Sequence, residues 1–450
     1  MTASTKRPTH IEAVPLVDRP RHAVLFRTQT QAITAGDFLA AVQALAAALP
    51  EAGHLVNLCQ NRYHFTVALA AAVLRNQVTL LTSDRSDARL RQLAASHPGT
   101  ASVSDDPAIE SPLRHHLFVP SFAPPCAEIP MIPADRLAAI VFTSGSTGEP
   151  VGNAKTWGAL AERSRAAADR FGYLTGPEPQ IVGTVPPQHM YGFEVTVLLP
   201  LHAPVASWCG TAFYPSDIAR ALATVPAPRV LVTTPLQIRN LLAADLDLPP
   251  LLHVISATAP LLAETAAAAE ARWSAPMLEI FGATEVGSIA SRRTVEGDLW
   301  RPYPGIGFTH STGNVIVSAP HALPTPLSDN IELTEDQQFR LLGRRTDMIK
   351  LAGKRASLAG LNLILNGIDG VADGVFVAPD DLDARPTARL LAFVVARGRT
   401  AEDILAALRR RIDPIFLPRR VVLVDALPRN EVGKVPRGAL AALQSRLGDA

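Results

Sequence analysis

The stretch VFTSGSTGEPVGNAKTW, residues 141–157, decides how the rest of the chain is read. An apolar strand, closing on Val141 and Phe142, runs into a loop of Thr, Ser and Gly, after which the chain turns helical. Small residues leave several backbone N–H groups of such a loop uncovered. Hydroxyls stand at Thr143, Ser144, Ser146 and Thr147, with Gly145 and Gly148 between and after them. That is how a chain builds a concave, donor-rich nest for an anion, most often phosphate. It is not a Walker loop, because no Gly-Lys-Ser/Thr follows Gly148. A lone Ser/Gly loop is as often a plain surface turn, so the decision falls to the rest of the chain.

Outward from this loop, apolar runs and helical patterns alternate. "LVNLC", "QVTLL", "AAIVF", "QIVGTV", "RVLVTT" and "LHVIS" read as short strands bounded by turn residues. "TAGDFLAAVQALAAAL" reads as a helix, with Thr34 as N-cap, Asp37 in its first turn and Phe38, Val42, Leu45 and Leu49 at helical spacing. "TWGALAERSRAAADRF" and "LLAETAAAAEARW" are further helices. The alternation predicts an α/β fold of mostly parallel, helix-covered sheets. Near Trp300 the texture turns rich in Pro, Gly and Thr, which predicts short strands in a small barrel-like subdomain. Beyond residue 345 the pattern is α+β, so residues 1–344 are expected to form a large domain and residues 345–450 a small one.

Bulk properties narrow the function classes. The 450 residues suit two or three structural units. With 48% apolar and 18% charged residues the chain is a globular protein and not a disordered one. A net charge of +1 gives no reason to expect nucleic acid or an anionic membrane as partner. Cys59, Cys126 and Cys209 are odd in number and lack metal-ligand spacing, which predicts a reducing, cytoplasmic setting. The N-terminal stretch has no apolar core of a leader, and no uninterrupted apolar run of about 18 residues predicts a membrane span.

Five further segments follow the loop in order: "HMYGF" (residues 189–193), "FGATE" (281–285), "LSD" ending at Asp329, "GRRTDMIKLAGKR" (343–355) and "LPRNEVGK" ending at Lys434. Together with the loop they resemble the adenylate-forming superfamily of acyl- and aryl-CoA synthetases, peptide-synthetase adenylation domains and luciferases. "TSGSTGEPVG" is similar to that family's T-S-G-S-T-G-x-P-K-G phosphate loop and "FGATE" to its Y-G-x-T-E motif. "GRRTDMIKLAGKR" resembles its hinge and "LPRNEVGKVPR" its C-terminal motif.

The resemblance implies ATP-dependent activation of a carboxylic acid to an acyl-adenylate, then transfer to a phosphopantetheine thiol of CoA or an acyl carrier protein. ATP and Mg²⁺ are the implied cofactors. Such chemistry calls for charge stabilisation on the polyphosphate more than for acid/base work. By the same resemblance Thr143, Ser144, Gly145, Ser146, Thr147 and Gly148 hold the β- and γ-phosphates, and Phe281 stacks on adenine. Thr284 bonds the α-phosphate, Glu285 holds Mg²⁺, and Asp329 and Arg344 bind the ribose. Thr258 and Lys350 join the nucleotide set. Lys434, on a mobile C-terminal domain, reaches both the carboxylate and the α-phosphate. His189 sits near the substrate carboxylate, and Tyr191, Gly192, Phe193 and Gly282 line the acid pocket.

Departures from the pattern matter as much. Val151 replaces the phosphate-loop lysine, with Lys155 four residues on as a possible substitute. Thr-Gly-Asp is reduced to "LSD", and Leu358 and Gly360 replace a Pro and a Glu. Tyr191 stands where amino-acid-activating modules carry an aspartate, which favours an aromatic or medium-length apolar acid, although Glu194 lies close by. The compact chain is also similar to bacterial carrier-protein ligases of aryl-polyene and related pathways. Two other readings stay open here: an amino-acid-activating module, and a non-catalytic nucleotide-binding relative.

Overall fold

The apolar runs become the central strands of two large sheets in the computed structural model, which describes residues 12–120, 128–143, 151–311, 314–344, 347–351, 354–379, 389–430 and 433–447. Among the described residues, one sheet runs in the order Val151–Thr156, Leu137–Thr143, Val78–Leu81, His54–Asn57, Ala101–Ser104 and Arg114–Leu117. Its first pair is antiparallel and every other pair is parallel. The loop residues 144–150 connect that first pair in sequence and lie outside the described residues, so their expected phosphate contacts have no geometry here.

A second sheet of eleven strands has a parallel centre: Met277–Ala283, His253–Ser256, Arg229–Thr233, Gln180–Gly183, Ala206–Trp208 and Val24–Arg27. Antiparallel strands extend it at both ends. The unbroken apolar runs follow from this position. Val230, Leu231 and Val232 are each fully buried, because helices cover both faces and no alternate position meets water.

Capping residues set where the helices begin. Thr34 accepts from Asp37 N at 3.2 Å, and Asp37 Oδ2 accepts from Thr34 N at 3.0 Å, a reciprocal capping box for Ala35–Ala48. Thr156 caps Trp157–Arg170, whose inward stripe is Trp157, Leu160, Ala161, Ser164, Ala167 and Ala168. Trp157 packs in one core cluster with Phe65 and Phe193. Burying each such ring is worth about 1.5–3 kcal/mol.

The barrel-like texture after Trp300 takes the form of an antiparallel three-stranded meander, Gly307–Ser311, Asn314–Ala319 and Ala322–Pro326. Strands Leu299–Pro302, Asp329–Leu333 and Phe339–Arg344 join the end of the large sheet. The expected junction at residue 345 falls just after Phe339–Arg344, on residues outside the description. Beyond it lie the hairpin Met348–Leu351 and Lys354–Ser357, the helix Leu358–Asn366, and a sheet of Val371–Val377, Leu391–Ala396 and Arg420–Leu423. Leu361, Leu365, Phe376, Ile404 and Leu408 give this smaller α+β domain its own core. Among the described residues no helix is long and apolar enough to cross a membrane.

Buried histidines make the large domain acid-sensitive, His202 and His253 among them. His202 is 3% exposed, lies edge-on to Trp157, and has no hydrogen-bond partner for either ring nitrogen among the described residues. Burial pushes it down to about 3. His253 Nε2 lies 2.6 Å from the Tyr173 hydroxyl, and burial pushes it down to about 4. Both fold as neutral rings, whereas the unfolded chain binds their protons below the usual value of about 6.5. Stability is therefore complete above that value and lost as pH falls toward 4. At pH 5 the loss is about 2 kcal/mol for each ring. Urea midpoints at pH 7.5 and pH 5 should differ accordingly, with His202→Phe removing about 2 kcal/mol of the difference, the share of one ring. Equal midpoints for the wild type would rule out neutral burial.

Candidate active site

The site is built on the strand Met277–Ala283, its return strand Gly287–Arg293, and the tight turn between them, closed by Val286 N donating to Ala283 O at 3.1 Å. The pairing slips between Phe281 and Gly282. Thr284 is half-buried in the turn and Glu285 is exposed. Gly282 has no room for a side chain, since a Cβ there would lie 2.5 Å from Gly287 O.

Buried charges hold this turn from beneath. Lys155, 6% exposed, donates from Nζ to the main-chain oxygen of Glu285 at 2.6 Å. Burial and the neighbouring Arg163 push its ammonium down to about 8. Arg163 Nη1 donates to Val286 O at 2.8 Å and to Ser288 O at 3.3 Å. Its Nη2 lies 2.5 Å from Glu194 Oε2, which also accepts from Ser288 Oγ at 2.6 Å. His321 Nε2 is 3.2 Å from Val286 O. Gly287 has φ +98°, and a Cβ there would lie 2.1 Å from Arg163 Nη1, so the cluster leaves space for glycine alone.

A second wall is the helical run beginning at Met190. His189 is its N-cap, and Nδ1 accepts from Tyr191 N at 3.3 Å. A neutral imidazole accepting through Nδ1 carries its proton on Nε2. Burial and the nearby Lys434 ammonium push His189 down to about 4, so it is neutral at pH 7. The run continues as a π-helix over Phe193–Leu198, with Thr196 Oγ1 donating to Gly192 O at 2.6 Å. Such wide turns recur at functional sites. Gly192 is required because a Cβ would fall 2.1 Å from Pro186 O.

Lys434 belongs to the C-terminal domain and is exposed. Its turn is tied by Lys434 N to Asn430 Oδ1 at 2.9 Å and Asn430 N to Lys434 O at 2.8 Å. Arg429, at the start of that turn, grips Asp373 through two 2.6 Å contacts. Arg239, on the large-domain helix Pro235–Ala243, reaches the same carboxylate at 4.0 Å. This arrangement puts the Lys434 ammonium near enough to His189 to help hold the ring neutral.

The remaining expected residues divide. Thr258 has φ +80°, a strained conformation for a β-branched residue and typical of ligand clamps. Asp329 is 6% exposed and pairs in register with Arg344, whose side chain lies outside the described residues. It borders a cleft of about 410 Å³ with His310, Met348 and Arg355, joining the "LSD" and "GKR" motifs. Lys350 is exposed on the hairpin strand opposite Arg355. Thr143 ends its strand, and its side chain is also outside the description.

Three aromatic residues turn inward. Phe193 is fully buried against Phe65, 6.5 Å between ring centres, so its expected place in the acid pocket is corrected to the core. Phe281, 8% exposed, packs against Trp300 and Phe339 at 5.8 Å and 5.6 Å. Most of its ring serves the core, leaving only residual surface for a base. Tyr191 is buried with its hydroxyl donating to Ile255 O at 2.9 Å. Arg163, His321, Arg239, Asp373 and Arg429 were not foreseen. Only Arg163 left a trace, as a charge inside the apolar stripe of its helix, three residues from Leu160.

Comparison with known proteins identifies the family and the fold. The family model "AMP-binding enzyme" matches residues 77–321, and "AMP-binding enzyme C-terminal domain" matches residues 364–434. The chain is 29% identical over 311 residues to a 4-coumarate–CoA ligase of Rhodobacter capsulatus, covering 67% of this chain and 75% of that one. It is 26% identical over 357 residues to an indoleacetate–CoA ligase of Aromatoleum aromaticum, covering 68% and 67%. Its fold matches ATP-bound MatB of Rhodopseudomonas palustris with a TM-score of 0.79 at 20% identity, covering 96% and 98% of the two chains. It also matches an anthranilate CoA ligase in complex with anthranoyl-AMP with a TM-score of 0.80 at 16% identity, over 100% of both chains. The chain belongs to the AMP-binding enzyme family, and the ATP-dependent acid–thiol ligase chemistry expected from its motifs belongs to it with the fold.

Proposed function

We propose that this enzyme activates an aromatic carboxylic acid with MgATP and passes the acyl group to CoA. The observation that carries the reading is a buried, neutral His189 capping the helical run at Met190, within electrostatic reach of the Lys434 ammonium of the smaller domain. The acid's carboxylate oxygen attacks the α-phosphorus as the bond to the β-phosphate oxygen breaks and pyrophosphate leaves. The CoA thiolate then attacks the acyl carbonyl and AMP departs. His189 offers Nε2–H to the carboxylate and so orients it. Lys434 places a positive charge against the negative charge that builds up on the α-phosphate.

The metal fits the residues present. Among the described residues no group of three or more acidic, histidine or cysteine side chains could cage an ion. Mg²⁺ on a nucleotide does not need one, since a single carboxylate and the phosphates suffice, and exposed Glu285 supplies that carboxylate. When bound, the ion neutralises phosphate charge. Thr284, in the same turn, donates to the α-phosphate, and Asp329 accepts from the ribose.

An aryl acid is favoured by the names of the relatives, which specify coumarate and indoleacetate. Amino-acid activation loses its best residue, because the Glu194 carboxylate is committed to Arg163 and Ser288. A cytoplasmic setting accords with unpaired Cys59 and Cys209. Pyrophosphate exchange against aryl, aliphatic and amino acids tests the reading. Exchange with aryl acids and AMP release on adding CoA are expected. AMP release with an acyl carrier protein in place of CoA would change the acceptor. ATP binding without exchange for any acid would leave a nucleotide-binding relative.

A further inference from the structure

The phosphate loop of this chain carries Val151, 56% exposed, at the position of the pattern's lysine. A lysine is nevertheless nearby in sequence. Lys155 lies on the same strand, Val151–Thr156, but its side chain points inward and is 6% exposed. Its Nζ donates to Glu285 O at 2.6 Å, from below the turn that carries Thr284 and Glu285. Arg163 takes the next carbonyl, Val286 O, at 2.8 Å, and Ser288 O at 3.3 Å. Two buried cations thus hold two main-chain oxygens of one short turn and a third in the strand that leaves it, and Glu194 pairs with Arg163.

Burying an ammonium is costly, and a turn on the surface of a sheet does not need one to close. The Val286-to-Ala283 bond already closes it. What the cations add is orientation: fixing the carbonyl of residue 285 fixes the peptide plane that follows Glu285, and so restrains the backbone from which the Glu285 side chain leaves. A metal site depends on such supporting contacts, which set the ligand before the ion arrives.

We propose that Lys155 is a positioning residue for the magnesium–nucleotide site, aiming Glu285 by holding its main-chain oxygen from within the protein. It acts through the turn and does not touch the phosphates, so it does not stand in for the missing loop lysine as a charge. The inference rests on the reading of the enzyme as MgATP-dependent.

The test separates metal from nucleotide. Binding of ATP to the full-length protein is measured by calorimetry with Mg²⁺ and with EDTA, for wild type, Lys155→Met and Lys155→Met/Val151→Lys. Methionine has nearly the length of lysine and no charge to desolvate, so the variant should fold, and its thermal midpoint verifies that. Lys155→Met should lose the Mg²⁺-dependent gain in affinity at least tenfold while ATP binding in EDTA changes less than threefold. In pyrophosphate exchange the same variant should need at least tenfold more Mg²⁺ at half-maximal rate, with an unchanged KM for the acid. Adding Val151→Lys should not restore the gain, because a charge at the loop does not re-aim Glu285. Full restoration would overturn the positioning role in favour of a phosphate charge, and an unchanged Mg²⁺ gain in Lys155→Met would overturn it outright. If the wild type bound no ATP in either condition, the nucleotide reading itself would fall and the inference with it.

Discussion

Lys434→Ala is expected to slow acyl-adenylate formation by about two to four orders of magnitude while leaving thioester formation from synthetic acyl-adenylate near the wild-type rate. The first figure is the loss of one charge-stabilising contact worth roughly 3–5 kcal/mol in a site where charge develops. The second follows from geometry. Lys434 is an exposed residue of the small domain whose ammonium acts electrostatically on His189 in the arrangement described, with Arg239 beside Asp373 and Arg429 on the same carboxylate. In the domain alternation that the hinge motif implies, the thiol-accepting arrangement moves this residue away, and the ammonium has no role there. Arg239→Ala should act in the same direction and far more weakly, since a 4.0 Å contact at a partly exposed site contributes at most about 1 kcal/mol. Single-turnover AMP formation and acyl transfer must be followed separately. Equal loss in both steps for Lys434→Ala would make it a structural residue and remove the alternation from the mechanism.

Much of this architecture was legible because its signals are local. A capping box at Thr34 and Asp37 is written in four residues, and a parallel strand buried on both faces must be apolar throughout, as at Val230, Leu231 and Val232. The motif residues Thr284, Glu285, His189 and Lys434 were singled out by order and spacing, and the Lys434 ammonium bears electrostatically on His189 although the two stand 245 residues apart. Where the reading erred, the direction of a side chain was at issue. Phe193 and Tyr191 follow His189 closely in sequence, yet the helical turn sends Phe193 into the core against Phe65 and Tyr191 toward Ile255. The supporting charges were invisible for another reason. Arg163 lies on one helix, Glu194 on another, His321 between two strands of the meander, and only tertiary packing brings them under one turn. Lys155 was noticed as a neighbour of the phosphate loop, but it is 6% exposed and its Nζ is taken by the Glu285 main-chain oxygen.

The same buried charges yield the largest expected change in stability. Arg163 and Glu194 are 5% and 8% exposed and 2.5 Å apart, so each is the other's main compensation for leaving water. Replacing a buried pair as a whole is often neutral, but removing one partner strands a charge and costs about 3–5 kcal/mol. Glu194→Leu should therefore shift the urea midpoint by a large fraction of the large domain's total stability, which for most domains is only about 5–15 kcal/mol. Arg163→Met should do likewise, and in addition strip a donor from Val286 O and Ser288 O. The double variant Arg163→Met/Glu194→Leu should recover most of the loss, a coupling that only contacting residues show. Acid preference supplies a separate readout. If Glu194 were an amine-recognising carboxylate, Glu194→Gln would change which acids support pyrophosphate exchange. Held by Arg163 and Ser288, it should alter stability and leave the order of acids unchanged. A stable Glu194→Leu enzyme with a new acid preference would move this carboxylate from the scaffold into the pocket.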